Sequence, residues 1–316
     1  MEFSTNHELP SQSDGETLWG VDLGGTKIEA AIIDPTRPEI ALYRRRLPTE
    51  AEKGYEHILS QIVKLIVELE ILSGMKRPKK IGFGTPGMID TTTNLLRHAT
   101  NTDCLNKRPL QQDLSRVLGV KAVVANDANC FALAEATLGA ARGKKVVIGL
   151  ILGTGVGGGV VVDGHAIEGL HRIAGEWGHN PLKGEERLCG CGKRGCNETV
   201  LSGPALEHFY FEQTGKKLLL PDIVARAAAG EAAAEATLKR LQEKFAESIA
   251  IPINILDPDA IVIGGGIGNI DLLYTQETHQ KIFSYVVSNE LKTPFLKPIL
   301  GDSAGVFGAA MLTIKN

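Results

Sequence analysis

The chain has 316 residues, is 43% hydrophobic and carries a formal net charge of −3. That length holds two domains of ordinary size, and the charge gives no general attraction to nucleic acid or to an anionic membrane. No apolar run approaches the roughly 18–20 residues that span a bilayer, and residues 1–17 are polar without an apolar signal core, so a disordered lead-in and a cytoplasmic location are expected.

The first folded element runs from Leu18 to Asp34 (LWGVDLGGTKIEAAIID). An apolar strand enters a turn at Gly24-Gly25-Thr26 and an alternating run, Ile28 to Ile33, leaves it, which is a β-hairpin pattern. Asp22 lies at the end of the incoming strand. Backbone N–H groups at Gly24, Gly25 and Thr26 can face an anion as a nest does, and a hairpin without a ligand is the competing reading. Tyr55 to Leu72 follows as a helix, with Ile58, Ile62, Leu65, Ile66 and Leu69 at helical spacing on one face. A short strand then enters Gly82 to Asp90 (GFGTPGMID), where Gly84 and Gly87 flank Thr85-Pro86 in a sharp loop, either a plain turn or a close backbone approach to a small ligand. Leu110, Leu114, Val117 and Leu118 mark a helix that ends near Gly119.

Lys121 to Ala125 reads as a strand leading into Asn126-Asp127-Ala128-Asn129 and a helical run. Asp127 stands at the strand–helix junction. It is either an N-cap, or a carboxylate facing the cleft where open α/β sheets bind ligands. Cys130, one turn in, is expected to be buried and inert. Val146 to Gly164 contains Gly153, Gly155 and Gly158 at G-x-G-x-x-G spacing, yet Val160 to Val162 follows where a dinucleotide fingerprint needs a helix. This is a second strand–turn–strand hairpin, and a nicotinamide-dependent dehydrogenase fails on the missing helix. Leu23-Gly24-Gly25-Thr26 lines up with Leu152-Gly153-Thr154-Gly155, and Ile32-Ile33-Asp34 meets Val161-Val162-Asp163 at the same offset. One unit therefore occurs twice, and two facing hairpins make a better phosphate clamp than one.

Gly175 to Glu198 gathers His179, Cys189, Cys191 and Cys196, bracketed by Glu176 and Glu198. One His and three Cys suit tetrahedral zinc in a closed structural site. A glycine-rich loop with buried thiols is the alternative, and disulfides fit poorly with a reducing compartment. From Ser202 to about Leu256 the chain is helical, and Pro252 should kink or end the last helix. Ala260 to Ile263 is a strand running into Gly264-Gly265-Gly266, where a helix start would set bare N–H groups beside a ligand. Gly301 to Met311 reads as a turn and a small-residue helix.

In this order the segments VDLGGTK, GTPGMID, ANDANC, GTGVGGG, GEWGHNPL, CGCGKRGCNE, LDPDAIVIGGG and GDSAGVFGAA resemble the ROK family of repressors and sugar kinases, from Leu18 to the end. The set resembles bacterial fructokinases that also accept mannose, through GEWGHNPL, LYRRRLPT and NILDPDAIVIGGG. It is similar as well to bacterial N-acetylglucosamine kinases, through DANCFALAEA and GLILGTGVGGG. The resemblance implies an α/β, two-lobed actin/hexokinase-like (ribonuclease H-like) fold with ATP and sugar between the lobes. Residues 18–121 with 301–316 would form the first lobe and 122–300 the second.

Asp127 matches the family's general base. Gly24, Gly25, Thr26 and Lys27 would approach the terminal phosphates from one lobe, and Gly153, Thr154 and Gly155 from the other. Asp22 would help hold Mg²⁺ through water, and Gly264, Gly265 and Gly266 match the adenosine-side loop. Asn126, Glu176, His179 and Glu198 would hold the sugar, completed by loops at Gly87 and Asn101, and His179 would serve zinc through its other ring nitrogen. The expected reaction is phosphorylation of a hexose 6-hydroxyl, with fructose or mannose first, an N-acetylhexosamine second and glucose third. A homodimer with no nucleic-acid or membrane partner is expected. Two departures stand out: Asn101 to Leu105 lacks the Trp that many relatives carry, and Asn94 stands where Gly is common. The family's repressors carry a DNA-binding domain ahead of the first hairpin, where this sequence has a 17-residue stretch that is polar overall and not basic.

Overall fold

The computed structural model describes residues 17–99 and 102–314. The expected site residue Asn101 and the lead-in expected over residues 1–17, Thr17 excepted, lie outside them. In chain order the elements are β1 (Leu18–Leu23), β2 (Lys27–Ile33), β3 (Ala41–Pro48), α1 (Tyr55–Ser73), β4 (Lys80–Thr85), β5 (Met88–Ile89), β6 (Leu96–Arg97), α2 (Leu110–Leu118), β7 (Lys121–Asn126) and α3 (Asp127–Thr137). The second half continues with β8 (Val146–Leu152), β9 (Val156–Val162), β10 (His165–Ala166), α4 (Glu198–Leu201), α5 (Gly203–Thr214), α6 (Leu220–Ala228), α7 (Ala232–Leu256), β11 (Ala260–Gly264), α8 (Gln276–Phe283), β12 (Phe295–Leu296) and α9 (Ala304–Met311).

Two five-stranded sheets result, β3-β2-β1-β4-β7 and β10-β9-β8-β11-β12. Each begins with an antiparallel hairpin and a third antiparallel strand, then adds two parallel strands beside the first. The duplicated hairpin of the sequence is thus one corner of a whole duplicated sheet. The copies differ at the turn: Leu23 pairs with Ile28, whereas Leu152 pairs with Val156, one residue tighter.

Alternation along β1 fixes the layers. Trp19 and Val21 face α1, whose Ile58, Ile62, Leu65, Ile66 and Leu69 are all fully buried as the helical spacing demands. Gly20 faces the other way, where α9 lies so close that a Cβ would come 2.2 Å from the Val306 carbonyl oxygen. On the second sheet, Leu150 and Leu152 pack toward Phe245 and Ile249 of α7. Gly149 and Gly159 face α3, and a Cβ at either would come within 2.8 Å of it. Helices α3 and α9 share a core with both sheets, and α9 carries Gly308 where a Cβ would meet the Cys130 backbone at 1.8 Å. Cys130 is buried there, as expected.

Several expectations need correction. The division placed between 121 and 122 falls inside β7, which pairs with the first sheet as far as Asn126. The glycine run after β11 leads into a three-residue 3₁₀ turn, Ile267–Asn269, not an α-helix. Helix α7 does not end at Pro252 but continues to Leu256. An interior proline costs about 3 kcal/mol because it removes one helical hydrogen bond and crowds the carbonyl four residues back. That carbonyl, Ser248 O, accepts instead from Trp177 Nε1 at 3.1 Å. Asn94 adopts φ 58°, the left-handed turn that Asn tolerates. No helix among the described residues is long and apolar enough to cross a membrane.

Candidate active site

Strand β7 hands over to α3 at Asn126-Asp127, and the capping residue is Asn126, not Asp127. Asn126 Oδ1 accepts from Ala128 N at 2.9 Å, while its Nδ2 donates to Gly87 O at 3.1 Å. The cap thereby fixes the loop that follows β4. Gly87 has φ 76°, and a Cβ there would lie 2.3 Å from Arg97 O, so glycine is required by the loop itself. Asp127 is the first helical residue, and its Oδ1 also accepts from Ala128 N at 2.8 Å. Asp127 is exposed as a residue, yet the surrounding protein desolvates its carboxylate, and this raises its pKa.

Asp127 has carboxylate company. Asp22, at the end of β1, is pushed up to about 7, first by burial and then by Asp127 and by Glu29. Glu176 is raised by burial, with Asp127 and Glu198 adding and His179 opposing. The fold thus brings Asp22, Asp127, Glu176 and Glu198, which span most of the two halves, into one electrostatic neighbourhood. Such a cluster suits a divalent cation and proton transfer.

The first hairpin turn is closed by Gly24 N to Lys27 O at 2.9 Å, and the second by Gly153 N to Gly155 O at 2.9 Å. The amides of Gly24 and Gly153 therefore serve their own turns, contrary to the expectation that Gly24 N–H faces an anion. Buried Thr49 braces the first turn, its hydroxyl donating to Gly24 O at 2.7 Å and its amide to Thr26 O at 3.0 Å. Sequence reasoning missed this role, although Thr49 closes the quoted LYRRRLPT segment. The second turn is braced by Gly203 N donating to Gly153 O at 2.8 Å.

His179 Nδ1, Cys189, Cys191 and Cys196 converge: their ligand atoms all lie within 4.8 Å of one another. Cys191 and Cys196 sulfurs are 3.6 Å apart, and Cys189 Sγ is 3.6 Å from His179 Nδ1. A tetrahedron with Zn–S bonds of about 2.3 Å has edges of about 3.8 Å, so the donor set and its spacing fit zinc. The other ring nitrogen, His179 Nε2, points toward Glu176 Oε2 at 3.7 Å. Glu198 opens α4 and bridges two regions: Oε2 accepts from Val156 N at 3.1 Å, and Oε1 lies 3.5 Å from Cys189 Sγ. The loop with His179 and the three cysteines, the carboxylates Glu176 and Glu198, and the second hairpin are therefore one connected structure.

Beyond the second hairpin opens a groove of about 1490 Å³. Gly153, Thr154 and Gly266 line it, with Pro204, Leu220, Val224, Gln242 and Ile267 among its walls. Of the three glycines expected beside adenosine, only Gly266 lines this groove. Gly264 makes room for the Phe131 ring, 2.7 Å from a built Cβ, and Gly265, at φ 78°, abuts Leu152 O at 2.3 Å. These two glycines are packing requirements. The groove walls themselves come from α5, α6 and α7 and were not foreseen.

Fold and site together define a class: two lobes of the actin/hexokinase type, with an acidic cleft between duplicated hairpins. The ROK family model matches residues 18–316, and the chain belongs to that family. It is 36% identical over 308 residues to an N-acetyl-D-glucosamine kinase of Photobacterium profundum, covering 94% of this chain and 99% of that one. Among solved structures it is similar to a ROK hexokinase from Thermus thermophilus (TM-score 0.83, 30% identity, 94% and 97% of the two chains covered). It is also similar to a ROK family glucokinase from Streptomyces griseus in complex with glucose and AMPPNP (TM-score 0.75, 27% identity, 94% and 99% covered).

Proposed function

We propose that this chain is an ATP-dependent sugar kinase that phosphorylates the 6-hydroxyl of a hexose, with N-acetylglucosamine as first substrate. The observation that carries the chemistry is Asp127: a carboxylate at a helix start, open to the cleft, held between two phosphate-type hairpins. It would take the proton from the sugar hydroxyl as that oxygen attacks the γ-phosphorus, a role typically contributing 10²–10⁴-fold. Its pKa, raised by burial, strengthens it as a base. The amides of Gly25, Thr26, Thr154 and Gly155, with Lys27, would approach the phosphates, and the groove beside Gly266 would take adenosine. Mg²⁺, when bound, neutralises phosphate charge, and Asp22 is the carboxylate positioned to hold it.

Asn126, Glu176, His179 and Glu198, with the Gly87 loop, would hold sugar hydroxyls, which both donate and accept. Zinc would sit on His179, Cys189, Cys191 and Cys196 as a scaffold, since four protein ligands leave no position for water. The sequence resemblance places fructose or mannose first. The curated relative at 36% identity supports the N-acetylhexosamine reading better.

Turnover of ATP should be measured against N-acetylglucosamine, N-acetylmannosamine, glucose, fructose and mannose. The highest kcat/KM is expected with N-acetylglucosamine. Turnover with none of the five overturns the activity, and a preference for fructose overturns the substrate order. Metal analysis should find about one zinc per chain, and a fully active metal-free enzyme would remove zinc from the account. A homodimer remains part of the proposal, checked by light scattering.

A further inference from the structure

Pro252 has no evident local purpose. It stands inside α7, which runs on to Leu256, and it leaves the Ser248 carbonyl without its usual helical donor. That carbonyl accepts the Trp177 indole N–H at 3.1 Å in a buried setting. Trp177 opens the 3₁₀ turn Trp177–His179, directly after Glu176, so it belongs to the same short turn as two residues assigned to the sugar, Glu176 and His179. Its ring meets Phe245 of α7 edge-on, with centroids 6.4 Å apart and planes at 87°. Its carbonyl accepts from Asn197 Nδ2 at 2.8 Å, and Asn197 lies between the metal ligand Cys196 and Glu198.

We propose that Pro252 and Trp177 are a positioning pair for sugar binding: the proline frees a carbonyl of α7, and the indole takes it. The turn carrying Glu176 and His179 is thereby seated on the second lobe. The inference rests on the sugar-kinase reading above. Packing alone does not require this pair. A phenylalanine at 177 would also fill the space beside Phe245, but only the indole supplies a donor. A residue with an N–H at 252 would restore the helical bond and draw the Ser248 carbonyl back toward the helix axis. The substitution that mends the helix should therefore loosen the sugar site, whereas a pair serving stability alone would behave the opposite way.

The test compares Pro252→Ala and Trp177→Phe with the wild-type enzyme by steady-state kinetics, thermal unfolding and tryptophan emission. Pro252→Ala is expected to unfold at the same or a higher temperature. In both variants the KM for N-acetylglucosamine should rise about tenfold, the factor that one lost hydrogen bond carries. The KM for ATP should stay unchanged, because Trp177 is not among the residues lining the nucleotide groove. Emission of Trp177 should shift in Pro252→Ala, over a constant background from Trp19, which is sealed in the first lobe's core. A wild-type sugar KM and unchanged emission in Pro252→Ala overturn the proposal. So does a rise in sugar KM matched by an equal rise in ATP KM and a lower unfolding temperature. If the wild-type enzyme turns over no sugar, the kinase reading fails, and the emission shift still decides whether the proline sets the indole.

Discussion

The turn at Gly24–Lys27 is flanked by charged residues of its own hairpin, whereas the one carboxylate at the turn Gly153–Gly155, Glu198, comes from α4. At the offset that aligns the two hairpins, Asp22 corresponds to Ile151 and Lys27 to Val156. Behind the first turn lies Glu29, fully buried, paired with Arg44 Nε and Arg46 Nε at 2.7 Å each and accepting from Ser303 Oγ at 3.3 Å. Behind the second lie Gly157, Gly158 and Gly159, with α3 pressed so close that a Cβ at Gly157 would meet the Ala128 Cβ at 3.1 Å. One copy of the unit carries the residues proposed for a cation and for charge balance. The other is glycine backbone between α3, which carries the proposed base, and the groove proposed for the nucleotide. Duplication supplied the geometry, and the two lobes then divided the chemistry.

The largest effect should come from the residue that stands between the hairpins and belongs to neither. Asp127→Asn removes the proton acceptor and leaves both turns intact, so kcat is expected to fall by about 10²–10⁴-fold. Calorimetric titration should show sugar binding retained. A variant with wild-type kcat would mean that the hairpins, not a base, supply the catalysis.

Next in size is a matched pair of alanines. Gly155→Ala would place a Cβ 2.7 Å from Glu198 Oε2, and Gly24→Ala one at 3.0 Å from Lys27 O. The first displaces a carboxylate that also bonds Val156 N, so the sugar KM should rise about tenfold. The second only tightens a local turn, and kinetic constants should stay within about twofold. Equal effects on the sugar KM would erase the asymmetry between the two turns.

The smallest effect is one of stability. Asp22 ionises near 3.8 in the unfolded chain and near 7 in the folded one. Folding therefore takes up a proton between those values, and Asp22 lowers stability progressively as pH rises through that window. Asp22→Asn should raise the melting temperature by a few degrees at pH 8 in metal-free buffer, with the difference vanishing below pH 4. The same variant should lose activity, because the carboxylate that destabilises the apo fold is the one assigned to Mg²⁺. No gain at pH 8 would show that Asp22 is not held out of water.

What the sequence made legible was local. Each hairpin announces itself by glycines between two apolar strands, and the candidate metal site by one histidine and three cysteines within Gly175 to Glu198. The groove proposed for the nucleotide was invisible because its walls come from scattered positions of α5, α6 and α7, apolar ones such as Leu220 and Val224 and polar ones such as Glu207 and Gln242, that share no local motif. Gly264 and Gly265 were misread for the converse reason: a glycine demanded by Phe131 or Leu152 looks the same as one that admits a ligand. The cap slipped by one residue because Asn126 and Asp127 are both good N-caps, and only the bond from Asn126 to Gly87 shows why the amide takes that place. Pro252 was expected to kink or end the helix, and that the helix runs on was not legible because the compensating donor, Trp177, lies 75 positions earlier in the chain.

Helix α9 carries a consequence for synthesis. Its backbone sits on Gly20 of β1 and on Gly82 of β4, where a Cβ would come 1.7 Å from the Ala309 carbonyl oxygen. The first sheet thus waits for a helix made some 280 residues after its first strand. On the ribosome the second lobe can bury its outer face against α7 while β1 and β4 still show an open inner face. Non-local closure of this kind is slow and leaves the nascent chain in need of protection. A chain ending at Leu300 is expected to keep a protease-resistant second lobe and a cleavable first one, and equal resistance of both would show that the first sheet matures without its last helix.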